Sequence, residues 1–277
     1  MSTQYEKAAR LLALHVPGNP VVLVNAWDAI SARIVESAGF PALATTSAGI
    51  AFLEGYPDGQ RISRAEMLVG VARVARAVNV PVTADLESGY GEEVEDAIAT
   101  AQGAIDAGAI GLNFEDGFED QPRLIETELQ CERIRAIRRV ADERGVPLVI
   151  NARTDVFLNG IGPEAGRLDE TLARGRRYRE AGADCIFVPG VTDASTIEHL
   201  ARGLDAPLNV LATAAAPSLE EMKRLGVARV SLGARPMLFA LAALRELAAH
   251  VRGVGTFSPL ANVITHADAN ALFEPPA

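Results

Sequence analysis

Residues 80–91 read VPVTADLESGYG: an apolar run, then Asp85 and Glu87 two residues apart, then a glycine-rich exit. A buried strand that ends in paired acids collects charge at its end, and the glycines let backbone pass close to whatever the acids hold. Chemistry-bearing groups stand at the ends of other apolar runs too. Asn25, Trp27 and Asp28 close the first, and Thr45-Thr46-Ser47-Ala48-Gly49 close the second and lead into a loop with Asp58. Asn113, Glu115 and Asp116 close the fourth, Asn151, Arg153 and Asp155 the fifth, and Asn209 the seventh. Asp58, Asp85, Glu87, Glu115 and Asp116 would then share one rim and raise one another's pKa values, a conflict that a divalent cation resolves. Oxygen donors without a His or Cys cluster point to Mg²⁺ or Mn²⁺, which needs only one or two direct carboxylates because it keeps several waters. Asp85 is read as a metal-site residue. Asp28 and Asp155 could equally be helix caps or turn formers. Arg153 can fork a substrate carboxylate or serve as partner to one of the acids. The TTSAG turn offers a hydroxyl and backbone N–H groups that suit a carboxylate or oxyanion.

These residues need a scaffold that brings strand ends together. Eight short apolar runs (21–26, 42–46, 80–87, 109–116, 146–154, 184–190, 207–212 and 228–233) alternate with helical patterns near 28–38, 63–78, 92–107, 127–144, 166–181, 192–202, 218–225 and 235–250. Near-continuous apolar strands between helices predict a parallel sheet covered on both faces, and eight such pairs predict a closed α/β (β/α)8 barrel of the TIM type. A doubly wound sheet is the alternative, but the first run passes into NAWDAIS without a G-x-G-x-x-G phosphate fingerprint. ESAGF, IDAGAIG, EAGADC and KRLGVARV end helices with glycine before re-entering strands, which marks the stability-side loops and leaves chemistry to the opposite mouth. The expected organisation is one domain over 1–277, with an N-terminal helix over 1–18, the barrel over about 19–233 and a C-terminal helical extension over about 234–277.

Composition narrows the function. A net charge of −10 disfavours nucleic acid. The arginine clusters at Arg133–Arg139 and Arg174–Arg179 read as solvated helix faces. No long apolar run or signal peptide appears, so no membrane partner is expected. Two distant cysteines, Cys131 and Cys185, fit a reducing cytoplasm. Only Lys7 and Lys223 occur and neither ends a strand, which argues against Schiff-base aldolase chemistry.

Taken together, NAWDAISARIVESAGFPALATTSAG, GYPDG, ADLESGYG, LNFEDG, NARTD and SLGARPM resemble the isocitrate lyase / phosphoenolpyruvate mutase superfamily over nearly the whole barrel. ADLESGYG looks like that family's D-x-D-x-G-[YF]-G metal motif, with Glu87 where Asp is usual. The resemblance implies Asp85, Glu87 and Glu115 as the metal set, Asp58, Glu115 and Arg153 as catalytic groups, and Ser47, Ala48 and Gly49 as the oxo-acid cradle. Arg153 would bind the substrate carboxylate, with Asp85, Asn209 and Trp27 also facing substrate. It implies Mg²⁺-dependent C–C cleavage of a small 2-oxo or 2-hydroxy (di)carboxylate through a metal-stabilised enolate, and a homotetramer or homodimer that exchanges the last barrel helix. The alternatives are phosphonomutase-type P–C chemistry and a degenerate barrel that only binds a 2-oxo acid. The stretch 117–126, GFEDQPRLIE, departs from the lyases' K-x-C-G-H loop, leaving Arg123 and Glu119 as its gate and acid–base candidates. Trp27, Tyr90, Phe118 and Phe187 are candidates for specificity or for plain packing.

Overall fold

The computed structural model describes residues 3–118 and 121–274. Helix α1 (Gln4–Ala13) begins at a capping box in which Thr3 and Glu6 satisfy each other's backbone N–H groups. Strands β1 (Val21–Leu23) and β2 (Asn25–Ala26), α2 (Ala29–Ser37), β3 (Leu43–Thr45), α3 (Ser47–Leu53) and α4 (Arg64–Ala77) follow. Next come β4 (Val82–Asp85), α5 (Val94–Asp106), β5 (Gly111–Glu115), β6 (Gly117–Phe118), β7 (Gln121–Leu124) and α6 (Thr127–Glu143). The chain continues through β8 (Val149–Arg153), α7 (Arg167–Glu180), β9 (Cys185–Val188), α8 (Ala194–Gly203), β10 (Leu208–Leu211), α9 (Leu219–Arg224) and β11 (Arg229–Ser231). It ends with α10 (Arg235–Val254) and α11 (His266–Ala271).

The main sheet is parallel throughout, in the order β1-β11-β10-β9-β8-β5-β4-β3-β2. β1 and β2 are two pieces of one stave broken at Val24: Val21–Leu23 run along β11, and Asn25–Ala26 run along β3. The sheet therefore closes into eight staves, one in each apolar run, and has no free edge. Asn25 seals the closure, donating to Thr45 O (2.7 Å) and accepting from Leu232 N (3.0 Å) and Gly233 N (2.9 Å).

Each barrel helix packs on the next, from α4 through α5, α6 and α7 to α8. α1 is a plug at the N-terminal mouth. Its Leu11 is fully buried and comes so near Gly111 that a Cβ there would lie 3.1 Å from Leu11 Cδ2. Two elements were not legible as such. The TTSAG turn and the residues after it form α3, because Thr46 caps the helix and accepts from Gly49 N at 3.3 Å. The stretch after β5 folds back as the antiparallel hairpin β6–β7.

The reading of the arginine clusters as solvated needs correction at Arg133, which is wholly buried, and at Arg174, which is largely buried against Asp116 and Tyr178. Where α6 packs on α5, the Arg133 guanidinium meets the carbonyls of Ser88 and Gly91, the Gln130 side chain and the Phe114 ring. It braces the glycine-rich loop from behind. No helix of the described residues is long and apolar enough to cross a membrane.

Candidate active site

At the C-terminal mouth a cavity of about 170 Å³ opens between the stave ends. Its polar wall holds Asn25, Thr46, Ser47, Asp58, Asp85, Asn113, Arg153 and Ser231. Ala48, Leu158, Phe187, Pro189 and Leu211 form the apolar wall. In a barrel, side chains of one parity point to the axis and the others to the helices. Asp85, Asn113, Asn151 and Arg153 are all inward because they pair in register on β4, β5, β8 and their neighbours.

Asp85 is held on both oxygens. Oδ2 accepts from Ser47 N (3.1 Å) and Ser47 Oγ (2.9 Å), and Oδ1 accepts from Asn113 Nδ2 (3.2 Å). Its own N–H donates to Thr45 Oγ1 at 2.9 Å. The carboxylate is thus fixed before any ligand arrives, and Ser47, expected in the oxo-acid cradle, turns its donors to Asp85. Gly49 N is taken by Thr46, and a Cβ on Gly49 would lie 2.9 Å from Trp27 Cβ, so Gly49 and Trp27 pack together beside the cavity. Ala48 lines the cavity itself, in the first turn of α3, where backbone N–H groups lack intrahelical acceptors.

The loop after β4 is strained. Glu87 (φ +51°) and Tyr90 (φ +61°) both lie in the left-handed region, and so does Gln60 (φ +58°). Gln60 clips the loop, donating to Ser88 Oγ (2.7 Å) and accepting from Tyr90 N (2.6 Å). Gly89 (φ +92°) has no room for a side chain, since a Cβ would lie 2.7 Å from Phe114. Glu87 is buried, and the Tyr90 hydroxyl lies 3.5 Å from its Oε1. Burial, then the charges of Glu87, Asp85 and Glu115, push the Tyr90 phenol far up, so it stays a donor.

Arg153 is gripped by two acids. Nε and Nη2 donate to Asp155 Oδ1 (2.6 Å) and Oδ2 (3.0 Å), and Nη1 forms an ion pair with Glu115 Oε2. Burial alone would lower this guanidinium, but Asp155 and Glu115 outweigh it and raise it. Burial raises the Glu115 carboxyl well above its usual range; Arg153 opposes the shift, and Asp155, Asp85 and Glu87 reinforce it. Asp155 does open a turn, its carbonyl accepting from Asn159 N at 2.9 Å, but its carboxylate is the partner that orients Arg153. Asp116, placed on the rim by sequence, turns the other way by the parity of β5. It accepts from Tyr178 Oη (2.6 Å), Arg174 Nη1 (3.3 Å) and Asp155 N (3.0 Å). Burial and Asp155 push its carboxyl up to about 6.

Beneath the cavity lies a polar floor that sequence reasoning did not assemble. Asn113 Oδ1 accepts from Asn151 Nδ2 (2.6 Å) and Arg229 Nη2 (3.1 Å), and Ser231 bonds Asn209 Nδ2 at 3.1 Å. Asn209 thus sits under Ser231, which does line the cavity. The available signal was polar residues at alternating positions within apolar runs, as in LNFE, INAR and RVS. Burial pulls Arg229 down to about 10, still protonated at neutral pH.

Asp58 lines the cavity from the loop after α3, whereas Arg123 lies outside it on the hairpin, paired with Glu92 and 4.0 Å from the Phe118 ring centre. Glu119 falls outside the described residues. Among the expected metal residues Asp85 lines the cavity, while Glu87 and Glu115 stand behind it. Among the described residues no group of three or more His, Cys, Asp or Glu side chains is gathered for direct chelation. A carboxylate at the cavity with further acids behind it fits Mg²⁺ or Mn²⁺ that keeps its waters, and does not fit Zn²⁺.

The family model for phosphoenolpyruvate phosphomutase matches residues 11–252. A solved structure of a Burkholderia cenocepacia protein, assigned provisionally as a phosphonomutase, is 43% identical and superposes with a TM-score of 0.85, covering 90% of this chain and 99% of that one. An uncharacterized protein of Mycobacterium tuberculosis is 34% identical over 93% of each chain. An oxaloacetate decarboxylase of Bradyrhizobium is 32% identical, over 83% of this chain and 76% of its own.

Proposed function

Because the chain belongs to the isocitrate lyase / phosphoenolpyruvate mutase superfamily of lyases and mutases, we propose that it is a Mg²⁺-dependent lyase that cleaves a C–C bond of a small 2-oxo or 2-hydroxy (di)carboxylate. The observation that carries this reading is that Asp85 and Arg153 share one cavity of about 170 Å³, a size for an acid of a few carbons. Asp155 takes two of the five guanidinium N–H groups of Arg153 and Glu115 is an ion-pair partner at Nη1, which leaves donors on Nη1 and Nη2 for a substrate carboxylate. Asp85 would hold the cation, directly or through a water, with Glu87 and Glu115 behind it. Bound there, the metal would supply Lewis-acid chemistry, drawing electron density toward the substrate's oxo and carboxylate oxygens. Asp58 is the cavity carboxylate left to move a proton to or from the reacting carbon or hydroxyl. The apolar wall of Leu158, Phe187 and Leu211 keeps water from that face. The similarity to an oxaloacetate decarboxylase supports including decarboxylation of an oxaloacetate-like acid. Phosphonomutase chemistry is the second reading, favoured by the family model and the 43% identical structure.

The test is thermal unfolding with Mg²⁺ and oxalate, separately and together, followed by a screen of 2-oxo and 2-hydroxy acids for Mg²⁺-dependent release of pyruvate, glyoxylate or CO₂. No shift with either ligand and no turnover would leave the acids structural.

Arg123 is proposed as the hairpin latch, through Glu92 and Phe118. Arg123→Ala should lower kcat roughly tenfold by loosening the element that closes over substrate; unchanged kcat would remove it from the mechanism. The exposed apolar face of α10, with Phe239 81% exposed, is proposed to pack on a second copy of the chain. Light scattering should give a dimer or tetramer of the 29.3 kDa chain, and a monomer at micromolar concentration would refute the pairing.

A further inference from the structure

Among the described residues two arginines are wholly buried in the barrel, and only one has an evident structural task. Arg133 ties down loop carbonyls. Arg229 lies on the barrel interior, where its hydrogen bonds go to neutral groups: Asn113 Oδ1 at 3.1 Å and Ser231 Oγ at 3.4 Å. Its Nη1 has no hydrogen-bond partner. A buried charge with so little local compensation is costly to keep, so its placement asks for a reason.

The reason lies in the direction of the amides above it. Asn113 Oδ1 receives two donors, from Asn151 and Arg229, and this commits Asn113 Nδ2 to Asp85 Oδ1. Turned over, the Asn113 amide would set oxygen against carboxylate and NH₂ against guanidinium. Asn151 cannot prevent that turn, because its own Oδ1 has no partner and its amide could reverse in step. A guanidinium has donors and no acceptor, so it accepts only one direction of the chain.

We propose that Arg229 is a positioning residue: it fixes the Asn113 amide, and through it the Asp85 carboxylate, in the orientation that receives a divalent cation. The proposal rests on the reading of Asp85 as a metal-site carboxylate. Asn113 is the direct partner of the metal-site carboxylate, and losing the orientation that Arg229 imposes on it should weaken metal binding by about tenfold.

The measurement is Mn²⁺ binding to the metal-free enzyme, by titration calorimetry or electron paramagnetic resonance, with folding checked by circular dichroism. Arg229→Met should bind Mn²⁺ about tenfold more weakly, and Arg229→Lys, also donor-only, should stay within about threefold of wild type. In an Asn113→Ala background Arg229→Met should add no further loss. Wild-type affinity in Arg229→Met, or the full loss repeated on top of Asn113→Ala, overturns the proposal. If Arg229→Met does not fold, Arg229→Gln carries the same test, since an amide presents either end and no longer imposes a direction. Wild-type protein that fails to bind Mn²⁺, or Asp85→Asn that binds it as wild type does, removes the metal reading itself and this proposal with it. A defect confined to Arg229 variants that leaves Asp85 essential bears on Arg229 alone.

Discussion

Asp85→Asn is expected to reduce turnover by about 10²–10³-fold while leaving the barrel folded. The carboxylate is the only one of the expected metal acids that lines the cavity and is also locked from both sides, by Ser47 and Asn113. The amide keeps the shape but loses the charge, and its NH₂ must face either the Ser47 donors or the Asn113 donor. That mismatch costs stability on the order of 1–2 kcal/mol, as for a buried donor left unsatisfied. The larger loss is ligand linkage. In wild type, Mg²⁺ with oxalate near 100 times Kd should add about 2.7 kcal/mol to unfolding, a shift of several degrees in a chain of this length. In Asp85→Asn that increment should vanish. A variant that keeps both the shift and the turnover would show that Asp85 only braces Ser47.

The second large effect is at Arg153, and it falls on stability as much as on activity. Arg153→Met leaves Asp155 and Glu115 buried without their cation, a loss of about 3–5 kcal/mol, a large share of what a domain of this kind has. Its pH dependence has a definite sign. Glu115 already has a raised folded-state pKa with Arg153 present, and without the cation it rises further. A carboxyl raised on folding favours the folded state fully below its unfolded pKa, and that contribution is lost as pH rises through the folded pKa. The deficit of Arg153→Met should therefore shrink as pH falls from 7 toward 5, and Glu115→Gln in the same chain should recover part of it at pH 7. Denaturant unfolding at several pH values measures this. A deficit under about 1 kcal/mol, or one equal at pH 5 and pH 8, would mean that the pair is solvated and contributes little.

Both variants also discriminate between readings of the site. A degenerate barrel that only binds a 2-oxo acid would lose ligand stabilisation in Asp85→Asn and Arg153→Met yet have no turnover to lose. A lyase would lose both together.

What the sequence by itself determined is what local pattern encodes. The eight staves and the helices between them follow from apolar runs alternating with amphipathic ones, and both periods are readable over a few residues. Thr3 with Glu6 marks the start of α1 in the same local way. Family membership was equally legible, because ADLESGYG and its companions are contiguous in the chain. Tertiary structure decided the rest. In the fourth run, AIGLNFED, the alternation of Asn113 and Glu115 with Leu112 and Phe114 separates two faces but does not say which one meets the axis; closure of the barrel does. Arg153 meets Asp155 only two residues on, but its partnership with Glu115 depends on β5 lying beside β8, across a hairpin and a helix. Arg133 looked solvated because it stands among the charged residues of an amphipathic helix, until the packing of α5 brought the loop carbonyls onto it. Arg229 and Asn113 are 116 residues apart, and no spacing rule joins them. The shared cause is geometric: in a closed barrel the inward side chains meet across the axis, where neighbours are set by stave order and register rather than by distance along the chain.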